Sequence, residues 1–197
     1  WDAPDCKLQP WECHGSMPNP NVMAQIKGDG TKERIANYGG YGIDHAIETL
    51  KPDVYLGIED IWAFNGFWDK PWWDHITSII WTTLDSLPIL PDAVDAAPKV
   101  KNYLVWASFA EKALKDMGYD HVKTLHGTLD VNQFYNLGPK SKRDLRNKFS
   151  LKDDFIIGFV FRNQLRKSVP NMLDGFSEFK IKNPESKSHI IEVKKAS

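Results

Sequence analysis

The sequence predicts an α/β protein built on a doubly wound, Rossmann-like parallel sheet. Three observations carry this reading. Apolar runs of strand length recur at 54–58, 78–83, 103–106, 121–125 and 155–161. Segments with helical apolar spacing, marked by helix start and stop residues, stand between several of them. The loops at the strand ends are rich in Gly, Pro, Asn and Asp, and strands alternating with helices are the pattern of a parallel sheet with crossover connections.

Taken in order, residues 1–38 are rich in Pro, Gly, Asn and charged residues, with little periodicity, and are expected to be mostly irregular. Gly39-Gly40-Tyr41-Gly42 precedes a helix from Ile43 to Leu50, whose apolar positions are Ile43, Ala46, Ile47 and Leu50. Lys51-Pro52-Asp53 ends that helix, and Val54 to Ile58 reads as the first strand. Ser78 to Thr83 is a second strand. Pro88, Pro91 and Pro98 break up the next stretch, leaving room for one short helix. Tyr103 to Trp106 is a third strand.

Ser108-Phe109-Ala110-Glu111 has the form of a capping box, in which the Ser and Glu side chains each satisfy a free N–H of the first turn. Gly118 is a natural stop for the helix that follows. His121 to Leu125 is a fourth strand, and His126-Gly127 turns out of it. A basic helix is expected over Ser141 to Phe149, and a last strand begins near Lys187. A composition shift between Leu137 and Asp154 divides the chain into an amino-terminal domain, 1–136, and the start of a second α/β domain, 137–197. No repeat at solenoid spacing is present.

The segment 155–179 carries the most chemistry. Phe155 to Phe161 is apolar throughout, as in a strand buried on both faces. Arg162, Arg166 and Lys167 follow. Ser168 can cap a helix, Pro170 is tolerated in its first turn, and Val169, Met172, Leu173, Phe176 and Phe179 give that helix one buried face. Cations thus stand at the carboxyl end of a strand and the amino end of a helix, where unpaired N–H groups and the helix dipole favour an anion. Arginine adds a planar fork for phosphate oxygens and lysine a point charge. A solvated basic turn is the competing reading of the same residues.

Bulk composition narrows the function. The formal net charge of −1 gives no global field for nucleic acid, and none is expected as a partner. No apolar stretch approaches the roughly 18–20 residues that span a bilayer. Cys6 and Cys13 do not form a secreted disulfide framework, and with His14 they supply too few ligands for structural zinc, so a reduced, cytoplasmic protein without a metal is expected. The chain opens at Trp1 rather than Met, which points to a fragment. Trp62, Trp68, Trp72, Trp73 and Trp81 lie within twenty residues. Packing is the expected role of most of these rings; a contact between copies of the chain and a groove for an acceptor are the other uses open to them.

The order of these pieces resembles that of retaining GT-B glycosyltransferases that use nucleotide sugars (glycosyltransferase family 4-like). The resemblance rests on Lys51-Pro52-Asp53 before a strand, Asp85-x-x-Pro88 after the next, the Ser108 to Leu114 helix start, Gly118-Tyr119, the His126-Gly127 turn leading to Asp130 and Phe134, and Arg162 with Lys167 before a helix. It covers roughly residues 40–185, and the step between Gly127 and Asp130 departs by one residue from the family pattern.

The resemblance implies transfer of a sugar from a nucleoside-diphosphate sugar to a hydroxyl acceptor on a sugar, lipid or protein, with retained configuration and no cofactor. It implies that Arg162 and Lys167 hold the donor diphosphate, with Arg166 as a helper, and that Asp85 and His126 stand near the reacting atoms. The structural alternatives are a turn or cap role for Asp85 and a simple hydrogen-bonding role for His126. The first Gly-rich strand-loop-helix of the family is missing. So is its paired-Glu signature, since Glu178, Glu185 and Glu192 stand seven apart in another context. These departures leave two alternatives: a GT-B-fold epimerase acting on a nucleotide sugar, and a non-catalytic binding or scaffolding fragment of the fold.

Overall fold

The computed structural model describes residues 8–151, 153–161 and 164–193. The chain divides into two compact units, Trp1–Thr128 and Leu129–Ser197, eight residues ahead of the 136/137 boundary expected from composition. The first unit holds a four-stranded sheet of β1 (Val54–Ile58), β2 (Thr77–Thr82), β3 (Asn102–Val105) and β4 (Lys123–Thr124). Every neighbouring pair is parallel, with Val54 opposite Thr77, Ile79 opposite Asn102, and Leu104 opposite Lys123. The protein is therefore α/β with a parallel sheet. Its strand order is β1-β2-β3-β4. Each crossover steps in the same direction, so the reversal that defines a doubly wound sheet does not occur among the described residues.

Two helices stand where irregular chain was expected, α1 (Pro20–Ile26) and α2 (Gly30–Asn37). Local capping makes them. Asn19 accepts from the Val22 N–H and Asp29 from the Lys32 N–H, each at 3.1 Å, so polar residues that look loop-like are helix starts. α3 (Ile43–Leu50) falls where the apolar spacing put it, and the left-handed Lys51 ends it.

The three connections between strands pack together on one face of the sheet. The first is the Trp-rich loop with two 3₁₀ turns, Ile61–Phe64 and Phe67–Asp69. The others contain α4 (Pro91–Ala96) and α5 (Ser108–Asp116). Ile61, Phe64, Phe67 and Trp73 from the loop, Ala93 and Ala96 from α4, and Ala110 and Leu114 from α5 form one core with Ile80, Tyr103 and Val105 from the strands. The opposite face is different. Val54, Leu56 and Ile58 are each about half exposed there (51%, 50% and 50%), and the register places Leu56 beside Ile79 and Ile58 beside Trp81.

The Trp-rich loop is held by packing, as expected. Trp73 is buried, and Trp62, Trp68, Trp72 and Trp81 are partly buried. Trp72 Nε1 donates to Asp44 of α3 at 2.8 Å, and Lys70 Nζ pairs with the same carboxylate at 2.7 Å. Partial burial raises the pKa of Asp44, but the bonds from Lys70 and Trp72 outweigh it and hold the group below its usual range. Lys99 stands over the Trp68 ring and Arg34 over the Trp62 ring.

The expected capping box at Ser108 does not form. Ala107 occupies the cap position and no side chain caps the helix. Glu111 instead spends its carboxylate on Lys115 and on Thr124 of β4, which outcompete the N–H of the helix start. The fourth strand is also shorter than the expected 121–125: its register with β3 pairs Leu104 with Lys123 and Val105 with Thr124.

The second unit contains α6 (Pro139–Lys148), β5 (Phe155–Val160), α7 (Val169–Lys182) and β6 (Ser188–Val193). β5 and β6 pair in parallel, Phe155 opposite Ser188 and Val160 opposite Val193, with α7 in the crossover. β5 is not the buried strand its composition predicts. Among the described residues it pairs on one edge, with β6, and Phe155 and Val160 are 64% and 80% exposed. α7 likewise buries no residue fully, and Leu173 and Phe179 of its apolar face are exposed. An apolar run records what a strand can bury, while burial itself needs layers on both faces.

Candidate functional site

The carboxyl ends of β1 to β4 all lie along one edge of the sheet, because the strands are parallel. Asp60 and Thr83 follow β1 and β2, Trp106 follows β3, and His126 follows β4. Asp60 is partly buried, and its Oδ1 accepts from the Thr83 hydroxyl at 2.7 Å. Asp85 lies two residues beyond Thr83 and is exposed in the loop leading to Pro88. It caps no helix: α4 starts after Leu90 without a side-chain cap.

His126 is exposed, and its Nδ1 lies 2.8 Å from the Trp106 carbonyl oxygen. A carbonyl only accepts, so Nδ1 carries the proton and Nε2 of the neutral ring presents a lone pair. The backbone fixes both neighbours. Trp106 N–H donates to the Thr82 carbonyl at 3.1 Å, and Leu125 N–H to the Val105 carbonyl at 2.9 Å. Trp81 reaches from β2 to donate its indole N–H to the Leu125 carbonyl at 2.7 Å. The Trp81 and Trp106 rings lie 5.1 Å apart at an angle of 31°. Gly127 makes room for them, since a Cβ there would stand 3.0 Å from the Trp106 ring.

In the second unit, Arg166 and Lys167 fall in a 3₁₀ turn, Leu165–Lys167, between β5 and α7. Both are exposed, and Arg166 Nε donates to Gln164 Oε1 at 3.1 Å. Arg162 lies outside the described residues. Ser168 is left-handed (φ 51°, ψ 46°) and its hydroxyl caps nothing, contrary to expectation. The first N–H groups of this 14-residue helix thus receive no bond from the Ser168 side chain. A separate open groove, lined by Pro139, Lys142, Arg143, Arg146, Asn147 and Asp153, runs along α6.

The structure thus brings Asp85 and His126 to one sheet edge, and it places Arg166 and Lys167 together at the start of α7. Sequence reasoning missed Asp60, Thr83 and Trp106 as site residues, although Thr83 and Trp106 end expected strands and Asp60 stands two residues beyond another. Among the described residues, no group of three His, Cys, Asp or Glu side chains is placed to hold a metal ion, and no helix is long and apolar enough to cross a membrane. No protein-family model and no curated protein matches the chain.

Proposed function

We propose that the chain is part of a retaining GT-B glycosyltransferase, which moves a sugar from a nucleoside-diphosphate donor to a hydroxyl acceptor. The observation that carries this reading is the parallel β5–α7–β6 unit, with cations in the turn between the carboxyl end of β5 and the start of α7. That is the position at which open α/β sheets take anionic ligands. The donor diphosphate sits there against Arg166, Lys167 and the helix N–H groups, and the resemblance adds Arg162.

In the reaction, the bond from the anomeric carbon to the diphosphate oxygen breaks and a bond to the acceptor oxygen forms. Negative charge grows on the leaving diphosphate, and fixed cations stabilise it best where water is excluded. The acceptor proton passes to the departing diphosphate oxygen, and Asp85 and His126 of the first unit are the residues this reading assigns to the acceptor. The support for those roles is their place beyond the strand ends and the tautomer fixed by the Trp106 carbonyl.

Calorimetry with UDP and GDP tests the diphosphate site, and a product assay with and without acceptor tests the reaction. Turnover that ignores the acceptor identifies an epimerase, and diphosphate binding without turnover a binding module. Charge-assisted hydrogen bonds contribute about 1.5–3 kcal/mol each. Replacing both Arg162 and Lys167 with Ala is therefore expected to weaken diphosphate binding about a hundredfold. Unchanged affinity would leave these cations as a solvated turn.

A further inference from the structure

The charges of α6 stand at the wrong end for a helix that meets only water. Lys140, Lys142 and Arg143 fall in its first half, no acid stands in its first turn, and Gly138 supplies no side-chain cap. A helix start favours negative charge, so cations there cost stability unless an anion joins them. The other cations of the helix are already engaged. Lys140 pairs with Asp144 at 3.3 Å, Lys148 stands over the Phe149 ring, and Arg146 donates to the Asp154 carbonyl. Among the described residues, the side chains of Lys142 and Arg143 make no hydrogen bond or ion pair.

Pro139, Lys142, Arg143, Arg146 and Asn147 recur at three- and four-residue steps and form one stripe of the helix. With Asp153 they line an open groove of about 840 Å³, which reaches the first turn of α6. That volume suits a sizeable small molecule and is far more than a single phosphate fills. Three cations share the lining with one acid. Pro139 is its apolar member among the described residues, and no aromatic ring lines it, so a nucleobase has nothing to stack on. Guanidinium forks and a lysine ammonium suit phosphate oxygens, and three cations on adjacent turns suit more than one phosphate. Asn147 and Asp153 add acceptors for hydroxyl groups.

We propose that the α6 groove is a binding site for a soluble, multiply phosphorylated polyol, with Lys142, Arg143 and Arg146 on its phosphates and Asn147 and Asp153 on its hydroxyls. The site does not rest on the glycosyltransferase reading and is separate from the cationic turn before α7.

Calorimetry and amide NMR on the 197-residue chain test it, with inositol trisphosphate as the probe. Orthophosphate serves as the single anion, and phosphatidylglycerol vesicles as a flat anionic surface. At about 0.15 M salt, the trisphosphate should bind at least about tenfold tighter than orthophosphate and should shift the amides between Lys140 and Asn147. Lys142→Gln combined with Arg143→Gln keeps good helix formers at both positions and should weaken binding about a hundredfold, the product of two charge-assisted contacts. Lys140→Gln, on the same helix but paired with Asp144, should change it by less than about threefold. Orthophosphate binding as tightly, amide shifts confined to the turn Leu165–Lys167, equal affinity in the double variant, or capture by vesicles without binding of the free trisphosphate would each overturn the site. Failure of UDP to bind, with trisphosphate binding that follows Lys142 and Arg143, would overturn the diphosphate site of the transferase reading and leave the groove standing.

Discussion

Glu111 shows how one carboxylate is shaped by its partners. Lys115 Nζ lies 2.6 Å from Oε1, and Oε2 accepts from both the hydroxyl and the N–H of Thr124. These bonds, Lys115 first, hold the group down at about 2, against an ordinary value of 4.5. The unfolded chain therefore takes up this proton at higher pH than the folded one. The stabilisation is complete above about 4.5 and is lost as pH falls toward about 2. Glu111→Gln, similar in shape but uncharged, should lack that part of the acid slope. Denaturant titrations at stepped pH check this; parallel curves for the two proteins across the window would show that Glu111 is not the group responsible.

At the scale of elements, Gly57 lets the Trp-rich loop close onto β1. A Cβ on it would stand 2.6 Å from Phe64 Cε1 and 3.0 Å from Ile80 Cδ1, inside a packed core. Gly57→Ala should cost about 1–3 kcal/mol through overpacking. Adding Phe64→Leu, which removes the nearer ring atom, should recover part of that loss, and thermal unfolding of the double mutant gives the coupling. A strictly additive result would place the strain elsewhere.

What the sequence made legible follows from how local each signal is. The strands at 54–58, 78–83 and 103–106 stand within a residue or so of their expected ends, because apolar runs between breakers are local. The helices at 20–26 and 30–37 were hidden, because their caps, Asn19 and Asp29, are residue types equally at home in loops. Ser108 and Ser168 failed as caps for the reverse reason: each has the right residue type, but neither hydroxyl makes the bond. The apolar run at 155–160 formed a strand, yet its burial depended on layers that composition cannot report. At the site, Asp85 and His126 were legible from their place after strands. The Trp81–Trp106 contact joins a residue on β2 to the residue just after β3 and was visible only once these strands paired.

For the whole molecule, the sheet has two unlike faces, and mutations should tell them apart. Ile80 is fully buried under the three connections, so Ile80→Ala should cost about 2–5 kcal/mol. Leu56, on the neighbouring strand but the opposite face, is 50% exposed. Leu56→Ser should change stability by no more than about 0.5 kcal/mol. Urea denaturation of both variants checks the contrast, and equal losses would mean that the second face is covered in solution.

The unidirectional strand order also bears on how the chain acquires its structure. Val54 finds Thr77, Ile79 finds Asn102 and Leu104 finds Lys123, so each strand's neighbour arrives about twenty residues later and no strand has to be inserted between two already paired. Loop-closure entropy stays small at every step. During synthesis from the amino terminus, β1 can hold β2 before β3 exists, and each new strand adds to a finished edge. Such a sheet is suited to vectorial assembly on the ribosome, one crossover at a time.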